Sequence, residues 1–143
     1  TDIAISQTNE ANVIDFNVTE ISNGVERVVG NTSRLKVNES GLYQVDISAQ
    51  IDISGGTFNS GTVYMWVRKN GSDVADSTRR QGITNIAPSN TLSFTVVISL
   101  DVDDYVEIAY AGDDSQLEFS SSAATAFAPS TAAVKVNVTQ VQL

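Results

Sequence analysis

From Gly41 to Ile53 the chain alternates without a break. Tyr43, Val45, Ile47, Ala49, Ile51 and Ile53 are apolar, and Gln44, Asp46, Ser48, Gln50 and Asp52 between them are polar. Residues i and i+2 share a face only in extended backbone, so this period predicts a long β-strand with one buried side. Val63, Met65 and Val67 repeat the pattern and end at Asn70-Gly71, a dipeptide that takes positive φ readily and so closes a turn. Further alternating runs are Leu92, Phe94, Val96, Ile98, Leu100 and then Val106, Ile108, Tyr110, with a shorter strand at Leu117 and Phe119. The last places Ala132, Val134, Val136 and Val138 on one face and Ala133, Lys135, Asn137 and Thr139 on the other. Its phase slips before Val141 and Leu143, as a β-bulge would make it do.

Short β-branched segments at Ile3–Ile5, Val13–Val18, Val25–Val29 and Leu35–Val37 bring the expected total to about eight to ten strands, with no capped helical period anywhere. The fold class expected is therefore all-β, an antiparallel two-sheet β-sandwich. At 143 residues the chain fits one domain spanning 1–143, with residues 1–20 expected as an extended N-terminal arm.

Composition narrows the function. The chain holds 17 acidic and 8 basic residues, net charge −9, which repels phosphate backbones and anionic lipid surfaces; neither nucleic acid nor membrane is expected as a partner. With no Cys and no His it lacks thiol nucleophiles, disulfides, the usual zinc ligands and the commonest general base. No apolar run is long enough to span a bilayer, and the N-terminal TDIAISQTNE has no basic-then-apolar leader pattern.

The carboxylate pairs Asp103-Asp104 and Asp113-Asp114 are read as turn residues, because neighbours on a strand point to opposite faces and Asp favours turns. A non-enzymatic module is expected, with no catalytic residue, cofactor or metal site. Arg68, Lys69, Arg79 and Arg80 are the main cationic concentration, either a solvated edge or loop or a partner for a carboxylate or an acidic glycan. Tyr64 and Trp66 lie opposite Val63, Met65 and Val67, either packed under a loop or open to a partner or sugar. Five Asn-x-Ser/Thr triplets, at Asn17, Asn31, Asn38, Asn70 and Asn137, follow from a composition rich in these residues. Two long connections, Ser54–Gly61 and Ser120–Thr131, are candidate recognition loops through Phe58, Asn59 and Phe127, or simple surface links.

Taken in order, Leu35, Gly41, Tyr43 and Val45, then Trp66-Val67-Arg68-Lys69-Asn70-Gly71, then Leu100 and Asp103-Asp104-Tyr105-Val106, resemble the tumour necrosis factor-like superfamily, with its complement and collagen-head branch the closer match. Leu35 and Val45 stand where that family prefers Phe, and Asp103 where it has Gly before Asp104. With the Ala- and Ser-rich late loop and the lack of Cys, the chain looks like copies of this fold in bacteriophage structural proteins. The resemblance implies a jelly-roll topology and a homotrimer on the virion surface, acting as capsid decoration or a head-fibre knob. The partners implied are other copies of the chain and the major capsid protein or other virion subunits. A second reading is a tail-fibre tip that binds a host surface glycan. The sheet face implied at the threefold axis carries Gln44, Asp46, Ser48 and Gln50, with Tyr105, Glu107, Lys135 and Asn137 from neighbouring strands; on the residues alone the same face reads equally as solvated.

Overall fold

The computed structural model describes residues 2–5, 7–19 and 22–142, and among these there is no helix. Twelve strands follow in order: β1 (Ile3–Ala4), β2 (Asn12–Val13), β3 (Val25–Val28), β4 (Asn31–Val37), β5 (Gly41–Ile53), β6 (Ser60–Lys69), β7 (Ser72–Asp73), β8 (Arg79–Thr84), β9 (Asn90–Leu100), β10 (Tyr105–Gly112), β11 (Leu117–Phe119) and β12 (Val134–Gln142). They form two antiparallel sheets packed as a β-sandwich, the architecture expected.

The first sheet is built on β5. Strand β9 pairs with it along one side from Gly41 to Ile51, and on the other side β12 and then β11 lie end to end, with β1 outside β11. The second sheet runs β3-β4-β10-β6; β2 also pairs with β10, and β7 and β8 share the far side of β6. Pairing is nested: β1 with β11, β4 with β10, β5 with β9 and β6 with β8. The chain thus changes sheet at β1–β2, β4–β5, β5–β6, β8–β9, β9–β10 and β10–β11.

Alternation is obeyed where the sequence carries it most strongly. Tyr43, Val45, Ile47, Ala49 and Ile51 of β5 are buried, as are Val63, Met65 and Val67 of β6 and Val106, Ile108 and Tyr110 of β10. Tyr110 meets Phe119 edge to face across the sandwich, centroids 5.4 Å apart at 84°, the arrangement the aromatic quadrupole favours. Asn70 and Gly71 have φ of 50° and 83°, so the turn after β6 is the left-handed one their identities imply. The expected phase slip near the C-terminus is a register shift between Gln140 and Gln142; Leu143, expected just past it, lies outside the described residues. Gly41 faces this bulge: a Cβ there would clash with the Gln142 carbonyl oxygen, so the close approach of β5 and β12 requires glycine.

Three expectations are corrected and one alternative is decided. Regular structure in Val13–Val18 stops at Val13, after which Ile14 and Phe16 donate backbone N–H groups to Ile108 (2.8 Å) and Thr32 (3.1 Å) without forming a strand. At the start of β12 it is Ala133 that is buried and Ala132 exposed, because alternation begins only at Val134. Of the solvated edge or loop expected for Arg79-Arg80, the structure has the edge: the pair opens β8, an edge strand with one deeply buried residue, Ile83. The approach to β8 is fixed by Ser77, whose buried Oγ accepts from the Val67 backbone N–H (3.1 Å) and donates to the Val74 carbonyl (2.8 Å), filling the gap between β7 and β8 on β6. Finally, Tyr105 and Glu107 sit in the second sheet, not beside Gln44 and Asp46.

Candidate functional site

The outer face of the first sheet collects most of the residues expected at an interface. Register places Asp46 between Thr95 of β9 and Asn137 of β12, Ser48 between Ser93 and Lys135, and Gln44 between Val97 and Thr139. Flanked on both sides, Gln44, Asp46, Ser48 and Gln50 are half-buried, while Lys135 and Asn137 are exposed. The Asp46 carboxylate accepts from Thr95 Oγ1 at 2.7 Å and from Gln44 Nε2 at 3.1 Å, so its charge is met by neutral donors. Between Gln44 and Gln50 this face carries one acid and, on β12, one base, in a chain with 17 acids. Apart from Gln44, Gln50 and Lys135 its side chains are short, so ordering them against a partner costs little side-chain entropy.

Beyond β12 the surface changes character. The side of β12 away from β5 has no strand partner among the described residues. There a cleft of about 1340 Å³ opens between the sheets, lined by Val134, Val136 and Val138 with Phe16, Val25 and Leu35 opposite, and by Asp46, Ser48, Lys135 and Asn137 where it turns onto the outer face. The polar face and the half-buried apolar slot are therefore one continuous surface around β12.

Tyr105 and Glu107 are absent from this surface. Both lie on β10, whose outer face belongs to the second sheet, and Glu107 is only 8% exposed, accepting from Ser33 Oγ at 2.7 Å. Alternation assigns a residue to a face of its own sheet and cannot say which sheet its strand joins.

The recognition loops divide as well. Phe58 is buried in the core and anchors its loop, which overturns its assignment to surface recognition; Asn59 is exposed. Phe127 is 91% exposed at the tip of its connection. That connection is pinned by reciprocal Ser122–Thr131 backbone bonds and by the Thr125 N–H, which donates to the Ala128 carbonyl at 2.8 Å.

The paired carboxylates are committed to turns. Asp113 Oδ1 accepts from the Thr62 N–H at 2.7 Å and Asp114 Oδ1 from the Gln116 N–H at 2.8 Å. Asp103 has φ 69° and lies 3.6 Å from Lys36 Nζ. Asp104 accepts from Asn70 Nδ2 and from the Asp101 N–H, both at 2.8 Å, and these bonds, with Lys69 at 3.5 Å, hold its carboxyl below the usual range. Among the described residues no three acids, His or Cys gather as a metal site. No protein-family model matches the chain, and no curated protein matches it.

Asp73 is also held low, by Arg68 and Trp66, and Asp2 by Ser121. A carboxyl whose native value is depressed contributes stability above its unfolded value, and that contribution disappears as pH falls through the native value. Glu118 acts in the opposite sense: burial first, then Asp2 and Asp52, raise it, so its contribution is lost as pH rises. With three lowered groups against one raised, the urea midpoint is expected to fall below about pH 4. Asp104→Asn should make that acid-side decline shallower; an equally steep decline would show that Asp104 is not one of its sources.

Proposed function

We propose that this chain is a non-catalytic assembly module, a homotrimeric jelly roll that serves as a structural protein of a virion surface. The observation that carries the reading is the continuity of the charge-poor face of β9-β5-β12 with the apolar slot at the edge of β12 that no described strand pairs. Interface centres are depleted in charged residues, and an exposed strand edge bordered by half-buried valines is a surface that proteins ordinarily cover. The nested pairing, with successive strands crossing between sheets, supports the jelly-roll topology, since rolling a long antiparallel hairpin into two sheets produces this order. The family resemblance supplies the threefold symmetry and the virion setting.

In this assembly one copy covers the β12 edge and the Gln44–Gln50 face of the next, which closes the ring without leaving the edge free to template further pairing. Light scattering and native mass measurement at micromolar concentration are expected to give three times 15.2 kDa. A monomer throughout that range would overturn the trimer.

A further inference from the structure

The outer face of the second sheet gathers aromatic rings and guanidinium groups that lie far apart in sequence. On β6, Tyr64, Trp66 and Arg68 alternate with the buried Val63, Met65 and Val67 and so point outward. Arg80 of β8 is directly opposite Tyr64, and on the other flank Ala111 and Ala109 of β10 oppose Tyr64 and Trp66, leaving the rings without bulky neighbours there. Rings at i and i+2 stand about 7 Å apart along a strand. The Arg68 guanidinium lies 5.8 Å from the Trp66 ring, and Arg34 lies 4.5 Å from the Tyr105 ring, further along the same face.

This surface is also preorganised. Asp73 Oδ1 accepts from Trp66 Nε1 at 2.7 Å and from Arg68 Nε at 2.8 Å, fixing the ring and leaving the terminal nitrogens of Arg68 unbonded among the described residues. Arg34 and Arg80 make no side-chain hydrogen bond within that set. Glu107, the acid opposite Arg68, is buried on the Ser33 hydroxyl rather than presented to solvent. Four of the chain's eight basic residues, Arg34, Lys36, Arg68 and Arg80, share this face; Lys36 is paired with Glu26 at 3.1 Å and Asp103 at 3.6 Å, which leaves the three arginines to meet an anion.

We propose that this face binds an acidic oligosaccharide, one bearing carboxylate or sulfate groups, with sugar rings on Tyr64 and Trp66 and the anions held by Arg68, Arg80 and Arg34. The charge and the mixture of groups select this class. Open guanidinium forks recognise carboxylate and sulfate in the plane. Aromatic faces take the apolar side of a sugar ring, and the exposed Asp73 carboxylate accepts from sugar hydroxyls. A polyphosphate or a run of acidic side chains offers neither hydroxyls to Asp73 nor a sugar ring to Tyr64 and Trp66. The site lies on the sheet opposite the proposed trimer face and does not depend on assembly.

Trp66 is the chain's single tryptophan, so its fluorescence reports on the site directly. Titration of the intact protein with oligogalacturonate and with a heparin oligosaccharide should give saturable changes in emission that weaken with salt, and the tighter of the two identifies the anion. Neutral cellohexaose should bind at least about tenfold more weakly, as should the acidic sugars to Arg68→Gln or Arg80→Gln. Arg80 is exposed, so Arg80→Gln keeps the fold, which an unchanged melting curve verifies. The proposal is overturned by no saturation with either acidic sugar, by undiminished binding in folded Arg68→Gln and Arg80→Gln, or by tighter binding of an oligo-dT or polyglutamate.

Discussion

Replacing Tyr43 by Ala is expected to destabilise the domain by about 3–5 kcal/mol, the cost of truncating a large aromatic in a packed core. Tyr43 is 1% exposed and sits on the central strand of the first sheet, with Ile98 of β9 on one side and Gln140 of β12 on the other. Its ring fills space between the sheets while its hydroxyl reaches the Glu39 carbonyl at 2.7 Å. Two effects therefore add: the cavity, and a carbonyl left without its donor. Tyr43→Phe isolates the second and should cost about 1 kcal/mol. Gln44→Ala, on the opposite face, removes a bond to Asp46 that Thr95 also makes and should cost no more than about 1 kcal/mol. Since a domain of this kind has only about 5–15 kcal/mol in hand, Tyr43→Ala should move the urea midpoint by a large fraction of its value. Equal shifts for Tyr43→Ala and Gln44→Ala would mean that β5 is registered one residue out.

The contrast between Tyr43 and Gln44 is legible in the sequence itself, because β5 and β6 each bury one face deeply along most of their length and so carry the alternation undiluted. Edge strands carry it poorly. In β8 only Ile83 is deeply buried, Gly82 follows Gln81, and two arginines open the strand, so no period survives to be read. Phe58 misleads for a related reason. Gly55, Gly56 and Ser60 around it signal a surface connection, yet a lone large aromatic among small residues is also how a loop is tied to a core, and here its ring is buried. The expected interface set divides at a different level. Which face Glu107 occupies follows from alternation with Val106 and Ile108, but its sheet depends on the crossing between β9 and β10, a long-range pairing with no local signature. The cleft beside β12 has no sequence signal at all, since it exists only where the β12 edge meets residues 14–19 and β3–β4.

The same separation of sheets makes Asp46→Lys and Glu107→Lys opposite experiments. In the monomer, Asp46→Lys loses the bonds from Gln44 and Thr95 but lets the new side chain swing into water, a change expected to cost about 1–2 kcal/mol and to leave the sandwich folded. In the proposed trimer, symmetry repeats at all three contacts the loss of the bonds that Asp46 accepts from Gln44 and Thr95 and the burial of a new ammonium on a face with no other acid between Gln44 and Gln50 to pair it, so the trimer should dissociate at micromolar concentration. Glu107→Lys meets the reverse situation. The carboxylate is buried against the Ser33 hydroxyl and opposite Arg68, so the substitution places an unpaired cation beside another in a desolvated position. Stranding a buried charge costs about 3–5 kcal/mol, enough to remove the β spectrum at any concentration. Sedimentation beside circular dichroism reads both outcomes. An undisturbed trimer in Asp46→Lys would move the axis off the β9-β5-β12 face, whereas dissociation of Glu107→Lys into folded monomers would put the outer face of β10 at the contact, because only an intermolecular role lets that residue change sign without loss of the sandwich.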